Sequence, residues 1–167
     1  MLSADYFRLL FDHVYWARDR LLAAAEGLSE DEYARPNGFN YGSIRGILTH
    51  CLAAEAGAIG RWTGSGRPEP ANAETLPTVE ALRARWQAEE ARLRPFLAGL
   101  KDESLTDDVV LRRANGEESR RPLYIDLTQI ASHETQHRSE AAEALTMIGR
   151  SPGDLDFIVF YRENVDA

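Results

Sequence analysis

Cysteine is almost missing from this chain: Cys51 is the only one in 167 residues. No intramolecular disulfide can form, and nothing points to an oxidising compartment. Long hydrophobic runs are missing too, since no apolar stretch approaches the roughly 20 residues that a membrane span requires. The N-terminal MLSADYFRLLFDHVYWARDRLL mixes acids and arginines into an amphipathic pattern. It lacks a basic stretch followed by an apolar one and so does not read as a signal peptide. Positive charge is in short supply, with a formal net charge of −8 and a pI near 5.0. That balance argues against a general attraction to phosphate backbones. Neither nucleic acid nor a membrane is expected as a partner, and a cytoplasmic location is expected. No internal repeat or low-complexity segment is evident.

What is present is an ordinary globular balance, 44% hydrophobic and 28% charged, in a chain long enough to bury a core without staples. We expect one domain, residues 1–167. Helical periodicity dominates. Phe7, Leu10, Phe11, Val14, Ala17, Leu21, Ala24 and Leu28 recur at three- and four-residue steps, with Gly27 near the stop. The polar SEDEYARPNGFNYG follows, broken by Pro36 and Asn37-Gly38. Ser43 is a good N-cap for a second helix running through Trp62. After the irregular GSGRPEPANAETLP, a third helix opens near Pro77 and Thr78, and Pro95 should kink it or end it early. DVVLRRANGEESRRPL sets Asn115-Gly116 between two short extended runs, the pattern of a small surface hairpin. The last long helix spans about Leu123 to Ile148 and stops at Gly149. A short C-terminal helix should then pack through Leu155, Ile158 and Val159. The expected fold is all-α: a four-helix bundle with a β-hairpin between the third and fourth long helices and a short C-terminal helix. Such bundles often build metal sites from inward-facing side chains.

Four histidines are candidates for such a site. Ile130, His133, His137, Ala141, Ala144 and Ile148 form one stripe of the last long helix, so His133 and His137 lie on the face that should be buried. At i,i+4 their Cβ atoms are about 5–6 Å apart, within reach of a shared ion. Two hydrogen-bonded polar core residues are the competing reading. His50 lies mid-helix at the edge of the stripe formed by Ile47, Cys51 and Ala54, on a different helix. Three histidines leave at least one coordination position open, as in reactive rather than structural sites. His13, aligned with Tyr6, Leu10 and Ala17, either lines the same cavity or is a partly exposed helix residue.

His133-Glu134-Thr135-Gln136-His137 also fits H-E-x-x-H, the zinc-protease helix with its glutamate as base. The extended form H-E-x-x-H-x-x-G-x-x-H fails, because Glu140 and Glu143 stand at the glycine and third-histidine positions. There is also no strand system to bind a peptide. Glu134-x-x-His137 matches half of a di-iron motif, but no second Glu-x-x-His exists.

Several segments resemble the DinB-like family of metal-dependent four-helix bundles. HVYWAR resembles that family's Y-N-x-W-A-N, keeping Trp16 and Ala17. FNYGSIRGILTHCLAAEAGAIGRWTG resembles its glycine-serine helix start, histidine, and glutamate followed by an aromatic. HETQHRSEAAEALTMIGRSPGDLDFIVFYRE resembles its H-x-x-x-H-R-G-Q, leucine, G-x-x-P, aspartate and tyrosine. Gln129 stands where many members carry another histidine, and Ser139-Glu140 replaces Gly-Gln.

The resemblance implies a metal triad of His50, His133 and His137, a divalent ion (commonly zinc or nickel) and a homodimer. It also implies thiol-dependent chemistry, in which the ion activates a low-molecular-weight thiol toward a small electrophilic substrate. Glu134 is the candidate catalytic proton acceptor, with Glu55 behind it. Because Glu134 points about 100° from His133, a solvated or interhelical pair competes with that role. Cys51, turned away from His50, reads as a small core residue. The arginines of LRRANGEESRR read as a solvated ribbon or as contacts to an anionic thiol. Two other functions fit the same residues: hydrolysis by metal-activated water, and a non-enzymatic metal- or partner-binding stress protein.

Overall fold

The computed structural model describes residues 3–66, 69–112 and 115–166. Arg67 and Pro68 of the crossover and Arg113 and Ala114 of the hairpin lie outside the described residues. The chain is mostly helical with one two-stranded antiparallel hairpin. The elements are α1 (Ala4–Ala25), α2 (Glu30–Ala34), α3 (Ile44–Thr63), α4 (Val79–Gly99), a 3₁₀ turn (Asp102–Thr106), β1 (Asp108–Arg112), β2 (Glu118–Pro122), α5 (Leu123–Met147) and α6 (Phe157–Asn164). No described helix is long and apolar enough to cross a membrane.

Local chemistry sets the helix starts. The side chains of Ser3, Ser43 and Thr78 accept from the backbone N–H groups of Tyr6, Gly46 and Ala81, satisfying donors that no helical carbonyl can reach. Ser29 and Glu32 cap α2 reciprocally. Pro95 sits within α4, which continues to Gly99 rather than ending at the proline. The residue is exposed, so its ring and missing N–H face water rather than the core.

Helix α5 packs on α1 and α3, and α4 packs on the same two helices from the other side. The hairpin pairs Val109 with Arg121 and Leu111 with Ser119. Asp126, fully buried, ties this ribbon to the helices. Its carboxylate accepts from Trp62 Nε1 at 2.8 Å and Arg61 at 3.2 Å on α3, and from Arg121 Nε at 2.7 Å on β2. Helix α6 differs from the sequence reading: Ile158 is exposed, and Phe160 is the buried residue. Phe157 and Phe160, three apart on one face, pack on His13 of α1.

The interior is two apolar clusters with a polar layer between them. One gathers Leu21, Leu22, Ile47, Leu48, Leu52, Leu82, Trp86 and Leu145. The other gathers Phe7, Phe11, Ile59, Leu93, Leu97 and Leu127. The segments of α1, α3, α4 and α5 between the clusters carry Arg18, Glu55, Glu90, Glu134 and Arg138. Glu55 accepts from Tyr15 Oη and Trp86 Nε1, both at 2.8 Å. Arg18 donates to Glu90 at 2.7 Å and lies over the Tyr15 ring. Pairing of this kind offsets the cost of burying Glu55, Arg18 and Glu90, while neither Glu134 oxygen has a hydrogen-bond partner.

Candidate metal centre

Three imidazoles meet where α3 faces α5. His50 comes from α3, and His133 and His137 come from successive turns of α5. Their ring centroids are 4.8 Å (His50–His133), 4.9 Å (His50–His137) and 4.5 Å (His133–His137) apart. One nitrogen from each lies within 4.8 Å of the other two. Bonds of about 2.1 Å to one tetrahedral ion would bring these nitrogens roughly 3.4 Å apart.

The hydrogen-bonding state of the rings fits a cation. Nε2 of His50 and Nε2 of His133 are buried without any hydrogen-bond partner, and buried polar atoms rarely stay that way in a folded protein. His137 is different: its Nδ1 lies 2.8 Å from Glu140 Oε2. Since the carboxylate can only accept, Nδ1 is the donor in this bond and Nε2 is the nitrogen left for an ion. Burial, followed by the neighbouring His133 and His137, lowers the His50 pKa to about 4. Burial and His137 likewise hold His133 below the usual imidazole range. Both rings are therefore neutral donors at pH 7. The group can hold a metal ion.

Other candidates from the sequence lie elsewhere. Glu134 is fully buried in the polar layer. Its pKa is pushed up to about 8 by burial and by Glu55, with Arg138 opposing. The Cys51 thiol is beside it, yet neither Glu134 oxygen accepts a hydrogen bond of ordinary geometry. The 100° offset from His133 thus carries Glu134 into the core, away from the three-histidine group. Glu55 is equally buried and held by Tyr15 and Trp86. Cys51 is buried as expected, and burial raises its pKa. His13 does not line the metal cavity. It is buried against α6, and its Nε2 donates to the Leu155 carbonyl at 2.9 Å. Gln129, on the helix that carries two of the histidines, is exposed.

The sequence reading missed Glu140, whose role it left open once Gly-Gln became Ser-Glu. The available signal was its position three residues after His137, one helical step along the same face. Replacing Glu140 with alanine is expected to weaken metal binding about 10- to 100-fold, the usual effect of losing an outer partner of a ligand histidine. Glu140→Gln, whose amide oxygen still accepts, should lose less. Titration against a competing chelator measures both, and equal affinity in all three proteins would show that Glu140 does not support the ligand.

Sequence comparison agrees with this site. No curated protein matches the chain. The family model described as the DinB family matches residues 1–164, spanning every helix that builds the centre, and the chain belongs to that family.

Proposed function

We propose that this protein is a divalent-metal-dependent enzyme that transfers a low-molecular-weight thiol to a small electrophile. In this reading residues 1–167 form one domain, and α1, α3, α4 and α5 make a four-helix bundle. The protein works in the cytoplasm as a homodimer, a state that rests on the family resemblance. The observation that carries the reading is the set of three imidazoles that converge from α3 and α5, two of them with a buried and unpartnered Nε2.

His50, His133 and His137 are the residues that would hold the ion. Imidazole donors suit zinc, nickel, copper or iron, and the resemblance favours zinc or nickel. A divalent ion held by three protein ligands has a free position and lowers the pKa of a thiol that binds there from its usual value near 8.5. The chain's own residues fix the arrangement. Glu140 holds the His137 tautomer, and burial keeps His50 and His133 unprotonated. In the overall reaction a thiol RSH and a halide R′X give the thioether RSR′ and HX, while an epoxide gives a β-hydroxy thioether, its C–O bond opening and the thiol proton passing to the ring oxygen.

Hydrolysis by metal-activated water is the second reading of the same three histidines, and dependence of turnover on thiol separates the two. Glu134 turns into the core toward Glu55 and Arg138. We therefore assign Glu134 to the interior of the bundle rather than to proton transfer at the metal.

The test is consumption of an aryl halide or epoxide by the metal-loaded protein, with and without added thiol. The proposal expects turnover that requires both metal and thiol and disappears in His50→Ala. Ester hydrolysis of the same strength without thiol would support the hydrolase instead.

A further inference from the structure

Two of the three candidate ligands, His50 and His133, lack the partner such a residue normally has among the described residues. A metal-bound imidazole usually donates its second N–H to an acceptor that fixes its orientation. His137 has Glu140 for this. His50 and His133 make no hydrogen bond to an acceptor among the described residues, and at His50 a second feature is present. A ring takes the acceptor's place. Tyr41 stacks on His50 with centroids 3.8 Å apart and planes 15° apart, and meets His137 edge-on at 5.1 Å.

The backbone is built to deliver that ring. Tyr41 belongs to the segment between α2 and α3, just before Gly42 and the N-cap Ser43. Gly42 has φ +75°, and its N–H bonds to the Phe39 carbonyl at 2.9 Å while its own carbonyl accepts from Asn37 N at 3.0 Å. The Tyr41 carbonyl comes so close to α3 that a Cβ on Gly46 would lie 1.9 Å from its oxygen. Gly46 is therefore the seat that lets this segment press against the first turn of α3. Tyr41 keeps 37% of its surface exposed on this loop. Its ring contacts are with two of the three candidate ligands.

We propose that Tyr41 is a positioning residue of the metal centre, which fixes the His50 ring by stacking and excludes water from one side of the ion. This rests on the metal reading above and adds to it a role for a residue outside the ligand set. The stacked ring needs only its flat face, so phenylalanine should serve as well as tyrosine. Alanine or leucine should not.

The test is cobalt(II) loading of the wild type, Tyr41→Phe, Tyr41→Leu and Tyr41→Ala. Visible absorption reports coordination number, and chelator competition gives affinity. The expected result is wild-type affinity and spectrum for Tyr41→Phe. Tyr41→Leu and Tyr41→Ala should bind about tenfold more weakly, with the weaker absorption bands of an ion that has gained a water. Metal-free thermal unfolding of each variant separates this from loss of fold, because a merely structural role would move the melting temperature and not the cobalt spectrum. If the wild type binds cobalt and Tyr41→Ala matches it in both affinity and spectrum, this proposal is overturned alone. A wild type that takes up no cobalt overturns the metal reading and this one with it.

Discussion

Replacing Arg138 with leucine is expected to destabilise the protein by about 3–5 kcal/mol, lowering its melting temperature by roughly 6–20 °C for a chain of this size. Arg138 is 2% exposed. Its Nε donates to the Glu134 carbonyl at 3.1 Å, its guanidinium also bonds the Val14 carbonyl, and it contacts Thr135 Oγ1 at 3.3 Å. It thus links α5 to α1 and supplies a positive charge close to Glu134 and Glu55. Without it, two carbonyls lose donors and two buried carboxyls lose a counter-charge, while leucine restores only volume. The loss should depend on pH. Burial raises the pKa of both Glu55 and Glu134, the latter to about 8. Groups with raised acid pKa values bind more protons folded than unfolded, so their contribution is full below the unfolded value near 4.5 and is lost as pH rises toward 8. Arg138→Leu steepens that loss, so the metal-free variant should fall further below wild type at pH 8 than at pH 5. Adding Glu134→Gln should recover part of the difference at pH 8, because it removes a charge left without its partner. Thermal melts of the three proteins at the two pH values decide this. Equal melting temperatures for Arg138→Leu and wild type would remove the paired polar layer from the account.

Loss of any one triad histidine is expected to have the largest effect on ligand binding. His50→Ala, His133→Ala and His137→Ala should each weaken metal binding by more than the roughly 10- to 100-fold that follows loss of an outer partner, since each removes a donor. Stability gives an independent readout. An ion at 100 times its dissociation constant stabilises the folded state by about 2.7 kcal/mol, which raises the wild-type melting temperature by roughly 5–11 °C. The variants should show little or none of that rise. The metal-free stabilities of His50→Ala and His133→Ala should stay near wild type, because each removes an imidazole whose buried nitrogen has no partner, whereas His137→Ala also removes the bond to Glu140. A variant that keeps the metal-dependent rise would not have lost a ligand.

Much of this was legible in the sequence because it follows from periodicity. The four long helices came from recurring apolar residues and good caps, and the hairpin from Asn115-Gly116. His133 and His137 were legible because a four-residue step on an apolar stripe fixes both their separation and their direction. His50 was placed by the same reasoning on a second helix. The short elements were harder. Helix α2 rests on a capping box with little apolar pattern behind it. In α6 the sequence Phe157-Ile158-Val159-Phe160 is apolar on every side, so periodicity could not select Phe160 over Ile158. Glu134 was ambiguous for a related reason: an offset of about 100° from a buried stripe leads either to solvent or to a neighbouring helix, and only the positions of Cys51, Glu55 and Arg138 resolve it. Tyr41 had no local signature, since its contact with His50 depends on how a loop closes and on the empty space at Gly46.

The central claim, that His50, His133 and His137 hold a divalent ion, is tested most directly by elemental analysis of the untagged protein as purified and after reconstitution with zinc or nickel. The account predicts close to one equivalent of a divalent metal per chain, lost in each of the three alanine variants. A folded wild type that contains no metal and takes up none would contradict it, and the histidines would then be polar residues of a protein that acts without a metal.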